Sequence, residues 1–295
     1  MRLDPVSLRI FIAAIEEGTI SGAAKREHIA QAAASKRISD LEALLSTKLI
    51  IRTSKGIHPT QAGITLKNMA NGVLRELDEI QVHLKNYSDG VRGLIRVVAN
   101  ISVVTQFLPN DIESFLEKYP EVQIQLDEKT SSQIVRAVAE NTADIGIFTH
   151  LPGHYDLEVL PYRNDELCLI VPKSHELLLL ENFQFKDALK YEFIALHVGS
   201  AINQLLFKEA NELGLHIRTK INVTAYDALC FMVESGLGVG VIPLNLAKKY
   251  VQIFNVEVIE IKEAWAKRQL KICVRNLESI SSAAKLFLEH LRPMS

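Results

Sequence analysis

Between residues 8 and 45 the apolar positions fall into short helical stripes. Leu8, Phe11, Ile12 and Ile15 recur at i, i+3, i+4 and i+7, the spacing of a helix packed on one side. Asp4 is placed to cap that helix, Pro5 fits its first position, and Gly18 suits the left-handed residue beyond its end. Ser21 can cap a second helix, whose Gly-Ala-Ala start leaves room for close backbone approach. A third runs from about Gln31 to Leu45, with Ala34, Ile38, Leu41 and Leu45 as its buried side. The period then changes: "KLIIRTSKGIHPTQAG" reads as two short extended pieces around a turn.

After Gly63 no proline interrupts the chain until past Tyr87. Leu66, Ala70, Val73, Leu77, Ile80, Leu84 and Tyr87 alternate in steps of four and three, a heptad seam. Such a seam pairs with another helix or packs against its own domain. "SDGVRG" follows as a hinge of polar and glycine residues. Beyond it β-rich apolar runs alternate with helical segments: "LIRVVAN", "FLPNDIESFLEKYP", "VQIQLDE", "SSQIVRAVAEN" and "DIGIF". A second series runs from "ELCLIVP" through "EFIAL", "INQLLFKEANELG" and "INVTAYDALCFMVESG" to "VGVIP". "LKICVRN" and a terminal helix near His290 close the chain. This alternation predicts parallel sheet flanked by helices, in two α/β halves with a cleft between them.

Composition narrows the class. The 295 residues are 48% hydrophobic and 23% charged, as in ordinary globular proteins, and suffice for about two domains. No apolar run approaches the ~18 residues of a membrane span, and "MRLDPVSLRIF" lacks a secretory core, so the cytoplasm is the expected location. Cys168, Cys230 and Cys273 lie far apart in apolar runs, with no CxxC spacing. They read as buried small hydrophobes or, less simply, as a redox pair made by folding. The net charge of −2 hides an asymmetry: residues 1–63 carry nine Lys/Arg against six Asp/Glu, a net +3, which leaves −5 for the remainder. A basic head on an acidic body directs a polyanion to one end.

On the third helix Gln31, Ala32, Ser35, Lys36 and Ser39 share the face away from the core. The major groove of DNA, about 12 Å wide, admits a helix whose outer side chains are slim or can bond base edges and phosphates. Ala32 and Ser35 are slim, Gln31 can pair with adenine, and Lys36 can reach guanine or phosphate. The alternative for this helix alone is an ordinary solvated face. The basic hairpin that follows, with Arg52, Lys55 and His58, adds a wing able to hold the adjacent backbone.

The run "LRIFIAAIEEGTISGAAKREHIAQAAASKRISDLEALLSTKLIIRTSKGIHPTQAG" resembles the winged helix-turn-helix of LysR-type transcriptional regulators. The resemblance is carried by Phe11, Ala23-Ala24, Gln31, Ser35, Ile38, Leu41-Glu42, Leu49, Arg52, Thr60 and Ala62-Gly63. Later stretches, "LPNDIESFLEKYPEVQIQL", "ADIGI" and "ESGLGVGVIP", extend it over essentially the whole chain. It implies a winged head at 1–63, a dimerising linker helix at 64–90 and an effector-binding body at 91–295 like periplasmic binding proteins. The lobes would be 91–162 with 269–295, and 163–268. It also implies DNA contacts from Gln31, Ala32, Ser35 and Lys36, with Arg52 and Thr53 holding phosphate. The partners would be double-stranded DNA, a small-molecule effector of possible anionic character, further copies as homodimer or homotetramer, and RNA polymerase in an activator. No cofactor is implied. Two departures stand out. Ala30 replaces a capping Ser, a loss that typically costs ~0.5–2 kcal/mol, and Lys36 replaces a frequent Arg, giving up its planar two-pronged contact.

In open α/β sheets ligands sit beyond the carboxyl ends of strands, near helix N-termini. Those ends fall at Asn100, Ser102, Thr130, Thr149, Ser200 and Thr224, with His197 nearby. Taken alone each hydroxyl reads better as a plain N-cap, and His197 equally as a structural histidine; taken together they make the candidate effector site. An enzyme is the rival class, but no Walker loop, GxGxxG, GxSxG or HExxH is present. Pro152 and Gly153 prevent a helical zinc pair from His150 and His154. Asp144 with Asp156, or Asp165 with Glu166, could pose as carboxylate pairs. A free-standing solute-binding protein would not begin with a winged helix.

Overall fold

The computed structural model describes residues 3–53, 56–85, 91–149, 153, 155–278 and 280–292. They form two compact units, Met1–Gly90 with Glu140–Thr142, and Val91–Ala139 with Ala143–Ser295.

The first unit contains α1 (Pro5–Glu17), α2 (Ile20–Arg26), α3 (Gln31–Leu44), β1 (Ile50–Thr53), β2 (Gly56–Pro59) and α4 (Gln61–Lys85). Asp4 caps α1 by accepting from the Ser7 N–H at 2.9 Å, and Gly18 closes the helix at φ +66°. The cap of α2 is Thr19 and not Ser21. Thr19 sits on extended backbone and accepts from the Gly22 N–H at 3.0 Å, whereas Ser21 already lies inside the first turn. His28 takes a left-handed turn at φ +53°, so the Ile29 N–H returns to the Ala24 carbonyl at 3.0 Å. That turn swings the chain into α3, whose cap position, Ala30, offers no side-chain acceptor. Ile10, Phe11, Ala34, Ile38 and Leu49 make the core of the head.

Glu42 locks helix to wing. Its buried carboxylate accepts from the Leu49 N–H at 2.8 Å, the Ile50 N–H at 3.2 Å and the Lys48 ammonium at 2.9 Å. Burial alone would raise its pKa, but Lys48 and the two backbone donors outweigh that and hold it below the ordinary carboxylate value. A depressed acid stabilises the fold above the unfolded-state pKa, and the contribution disappears as pH falls through the folded-state value. Glu42→Gln should therefore cost about 1–3 kcal/mol at neutral pH. It should also lose the part of the acid-induced destabilisation that sets in below about pH 4.3. Urea unfolding at both pH values checks this, and equal stability of variant and wild type at neutral pH would refute it.

The helix α4 begins three residues before the expected linker. Thr60 caps it, accepting from the Gly63 N–H at 3.0 Å while its own hydroxyl donates to the Lys48 carbonyl at 2.7 Å. A Cβ on Gly63 would lie 2.1 Å from the Leu49 carbonyl oxygen, so only glycine fits. Ala70 and Leu74 enter the core of the head, and Leu66 packs against it. The expected pairing seam therefore loses Leu66 and Ala70 to their own domain. Met69, Val73 and Ile80 remain exposed and Leu77 half-buried, while the side chain of Leu84 and all of Tyr87 lie outside the described residues.

The second unit runs β3 (Gly93–Ala99), α5 (Ile101–Gln106), α6 (Leu108–Lys118), β4 (Val122–Glu128), α7 (Ser131–Ala139), β5 (Ile145–Phe148) and β6 (Glu158–Pro172). It continues with α8 (Phe185–Ala188), β7 (Glu192–Leu196), α9 (Ala201–Glu212), β8 (Arg218–Val223), α10 (Tyr226–Glu234) and β9 (Gly240–Pro243). Then come α11 (Leu244–Tyr250), β10 (Val256–Glu260), β11 (Lys267–Val274) and α12 (Ser282–Leu291). Strand β3 is parallel to β4 and β5, and β7 to β8. All pairings of β6 and β11 are antiparallel, so the expected parallel sheet is a mixed one.

The reason is that the chain passes twice between two cores. The 15-residue β6 gives Tyr162 to a core with Phe115 and Phe287, then Leu167 and Leu169 to another with Phe193 and Leu229. Strand β11 returns alongside it, from Lys267 opposite Glu166 to Val274 opposite Glu158, with a one-residue shift of register between Leu270 and Lys271. A return strand beside its outgoing partner must be antiparallel.

Candidate functional site: nucleic-acid face and ligand cleft

On α3, Gln31, Ala32, Lys36 and Ser39 are exposed and Ser35 is half-buried. The Arg52 guanidinium, from β1 of the wing, donates to Ser35 Oγ at 3.3 Å. The hairpin turn is held by the Thr53 hydroxyl, which donates to the Gly56 carbonyl at 3.1 Å; Lys55 lies outside the described residues. Several other cations of the head are neutralised internally. Arg26 pairs with Glu16 at 2.8 Å, Arg37 with Asp4 at 3.4 Å, and Lys48 with Glu42 at 2.9 Å. Among the described residues Lys36 enters no ion pair. The face therefore presents one slim helical surface with a cation on the helix and another on the wing, a layout suited to phosphate.

In the second unit, Asn100, Ser102, Thr130, His197 and Ser200 line one open cleft. Three strand-to-helix turns build it: β3 into α5, β4 into α7, and β7 into α9. Two of the residues are caps as well as lining. Asn100 Oδ1 accepts from the Val103 N–H at 3.1 Å, and Ser200 Oγ from the Asn203 N–H at 3.3 Å. Thr149 stands beside Asn100, whose amide donates to its hydroxyl at 2.8 Å, and is not part of the lining.

Thr224 is exposed and outside the cleft, contrary to expectation. The next helix begins at Tyr226, and it is that ring which turns inward. Glu128, Lys129 and Ser131 also line the cleft and were missed. They share the β4–α7 turn with Thr130, so reading the whole turn would have found them.

Beneath the cleft lies a buried polar cluster. Ser102 Oγ and the Tyr226 hydroxyl are 2.9 Å apart, and Arg268 Nη2 donates to Ser102 Oγ at 3.4 Å. Arg268 also forms an ion pair with Asp165, with side-chain exposures of 4% and 0%. The Gln106 amide donates to Asp165 Oδ2 at 3.4 Å and to the Ser102 carbonyl at 3.0 Å. Asp165 is on β6 and Arg268 on β11, so the pair ties together the two strands that cross between the cores. Burial pushes the Tyr226 phenol well above its ordinary pKa and keeps it protonated.

The posed carboxylate pairs separate. Asp165 and Glu166 alternate along β6, one buried on Arg268 and the other beside Lys267 at 4.0 Å. Asp144 is buried and accepts from the Arg96 N–H at 2.7 Å, while Asp156 is exposed. His150, Pro152 and His154 lie outside the described residues. All three cysteines are buried and free; burial lifts the Cys230 and Cys273 thiols to about 12 and Cys168 still higher, so they stay protonated. Among the described residues no helix is long and apolar enough to cross a membrane.

Two family models match the chain. Residues 6–64 match "Bacterial regulatory helix-turn-helix protein, lysR family" and residues 88–295 match "LysR substrate binding domain". A probable RuBisCO transcriptional regulator of Cyanophora paradoxa is 28% identical over 293 residues, covering 97% of this chain and 90% of that protein. Full-length CbnR, crystallised with its target DNA, superposes with a TM-score of 0.70 at 21% identity, covering 98% of this chain and 99% of that one. The effector-binding domain of QuiR in complex with shikimate superposes with a TM-score of 0.61 at 19% identity, over 68% of this chain and 96% of that domain.

Proposed function

The chain belongs to the lysR family of regulatory helix-turn-helix proteins, and from that premise we propose how it reads DNA and what controls it. It is a transcription regulator and not an enzyme. In our reading α3 enters the major groove of double-stranded DNA, with Gln31, Ala32, Ser35 and Ser39 facing base edges and Lys36, Arg52, Thr53 and Lys55 toward phosphate. Helix α4 joins two heads into a homodimer, or a homotetramer built from such pairs. The cleft lined by Asn100, Ser102, Thr130, His197 and Ser200 takes a small-molecule effector. A ligand that favours one arrangement of the two lobes shifts their population, and with it the bound state of the heads. The protein acts in the cytoplasm, with RNA polymerase as a further partner where it activates.

The observation that carries this reading is the charge arrangement of the head. Arg26, Arg37 and Lys48 are spent on internal carboxylates, whereas Lys36 stands exposed on the slim face beside the Arg52–Ser35 contact. Phosphate contacts dominate affinity and impose a salt dependence. Lys36→Ala should weaken binding to operator DNA about ten-fold and shrink the slope of log K against log salt by about one. Lys173→Ala, an exposed lysine of the second unit, should change neither. Fluorescence anisotropy at several salt concentrations reads both. Wild-type affinity and slope in the Lys36 variant would remove this face from the DNA.

A further inference from the structure

The cleft holds charges of both signs, and this bears on what it binds. Glu128 ends β4 and Lys129 follows it; both line the cleft, and among the described residues neither enters an ion pair. Opposite charges left apart in a recess suit a ligand that carries both. The helices α7, of 9 residues, and α9, of 12, open onto the same space with Ser131, Ala201 and Ile202. The first N–H groups of a helix have no partner within it and favour a carboxylate.

A second observation marks that spot. Ser131 is 6% exposed and its hydroxyl makes no hydrogen bond among the described residues, although a buried hydroxyl is ordinarily satisfied. A ligand oxygen at the α7 N-terminus would satisfy it. Glu128, the last residue of β4, supplies the negative charge of the lining. The apolar part of the lining is aliphatic, from Ile101, Leu196, Ala201 and Ile202, and His197 adds an imidazole ring.

We propose that the effector is a small α-amino acid, its carboxylate at the N-termini of α7 and α9 beside Ser131 and Lys129, and its ammonium on Glu128. This rests on the reading of the cleft as the effector site and adds the chemical class. The ammonium separates it from a plain organic acid, which would leave the Glu128 carboxylate facing a second negative charge.

Calorimetry on the full chain tests it, with each of the standard protein amino acids and, for any that binds, the 2-hydroxy acid bearing the same side chain. At least one amino acid should bind, about ten-fold or more tighter than its hydroxy acid. Glu128→Gln, at an exposed position, should erase that preference by weakening the amino acid while leaving the hydroxy acid unchanged or tighter. Hydroxy acids binding as well as amino acids would overturn the class and leave the cleft reading standing. So would an amino acid preference that survives Glu128→Gln. Binding that persists when Ala201→Trp fills the cleft would overturn both. Failure of every amino acid to bind overturns the proposal.

Discussion

Leucine in place of Arg268 is expected to destabilise the α/β unit by about 3–5 kcal/mol, the usual cost of stranding one member of a buried ion pair. The partner left behind, Asp165, has a side chain with 0% exposure. One of its oxygens, Oδ1, has no hydrogen bond even with the arginine present. Without Arg268 the carboxylate retains only the 3.4 Å contact from Gln106, so it must stay charged and unpaired or take up a proton. Replacing both partners, Asp165→Leu with Arg268→Leu, removes the stranded charge and should recover most of the loss. Urea denaturation of the single and double variants measures the coupling. A single variant that loses less than about 1 kcal/mol, within the range of exposed pairs, would show that the crossing strands do not depend on this pair. Arg268 also donates to Ser102, a lining residue of the cleft, so the double variant should fold and yet bind ligand with altered affinity.

That pair marks the limit of what was legible in the linear sequence. Its members are 103 residues apart and lie on strands that meet only because the chain crosses twice between the cores. No local spacing predicts the meeting. The first half of β6 was hidden for a related reason: "EVLPYR" contains a proline and charged residues, and reads as a loop until β11 supplies its partner. The sheet was expected to be parallel because alternation of strand and helix reveals crossovers but not a returning strand.

Features set by neighbours along the chain were readable. The Asp4 cap, the turn at Gly18 and the apolar stripe of α3 each depend on residues within a turn or two. The lining of the cleft was readable to the same extent, since strand-end turns are local. Where such readings failed, a single side chain decided against them: Thr19 in place of Ser21, and Tyr226 in place of Thr224. The heptad seam divides, with its first positions packed on the head while Val73 and Ile80 stay exposed. Period alone cannot tell a helix that packs on its own head from one that waits for a partner, and α4 does the first with Leu66, Ala70 and Leu74.

What α4 leaves over defines the second large effect. Met69 is 67% exposed, Val73 48% and Ile80 54%, an apolar stripe on a helix of 25 residues. None of the three belongs to the core of the head. Val73→Glu with Ile80→Glu should therefore leave the fold of the head intact while placing like charges across any paired copy of the stripe. Sedimentation should then show monomers. A lone head on DNA forgoes the effective concentration that a tethered second head supplies, so affinity for a two-part operator should fall by about 10²–10⁴-fold. Affinity for an isolated half-site should be unchanged, because α3 and the wing are untouched, and this separates loss of pairing from loss of the groove face. Circular dichroism checks that the helical content survives. If the double variant sediments like wild type and binds the full operator equally well, the stripe is not the seam.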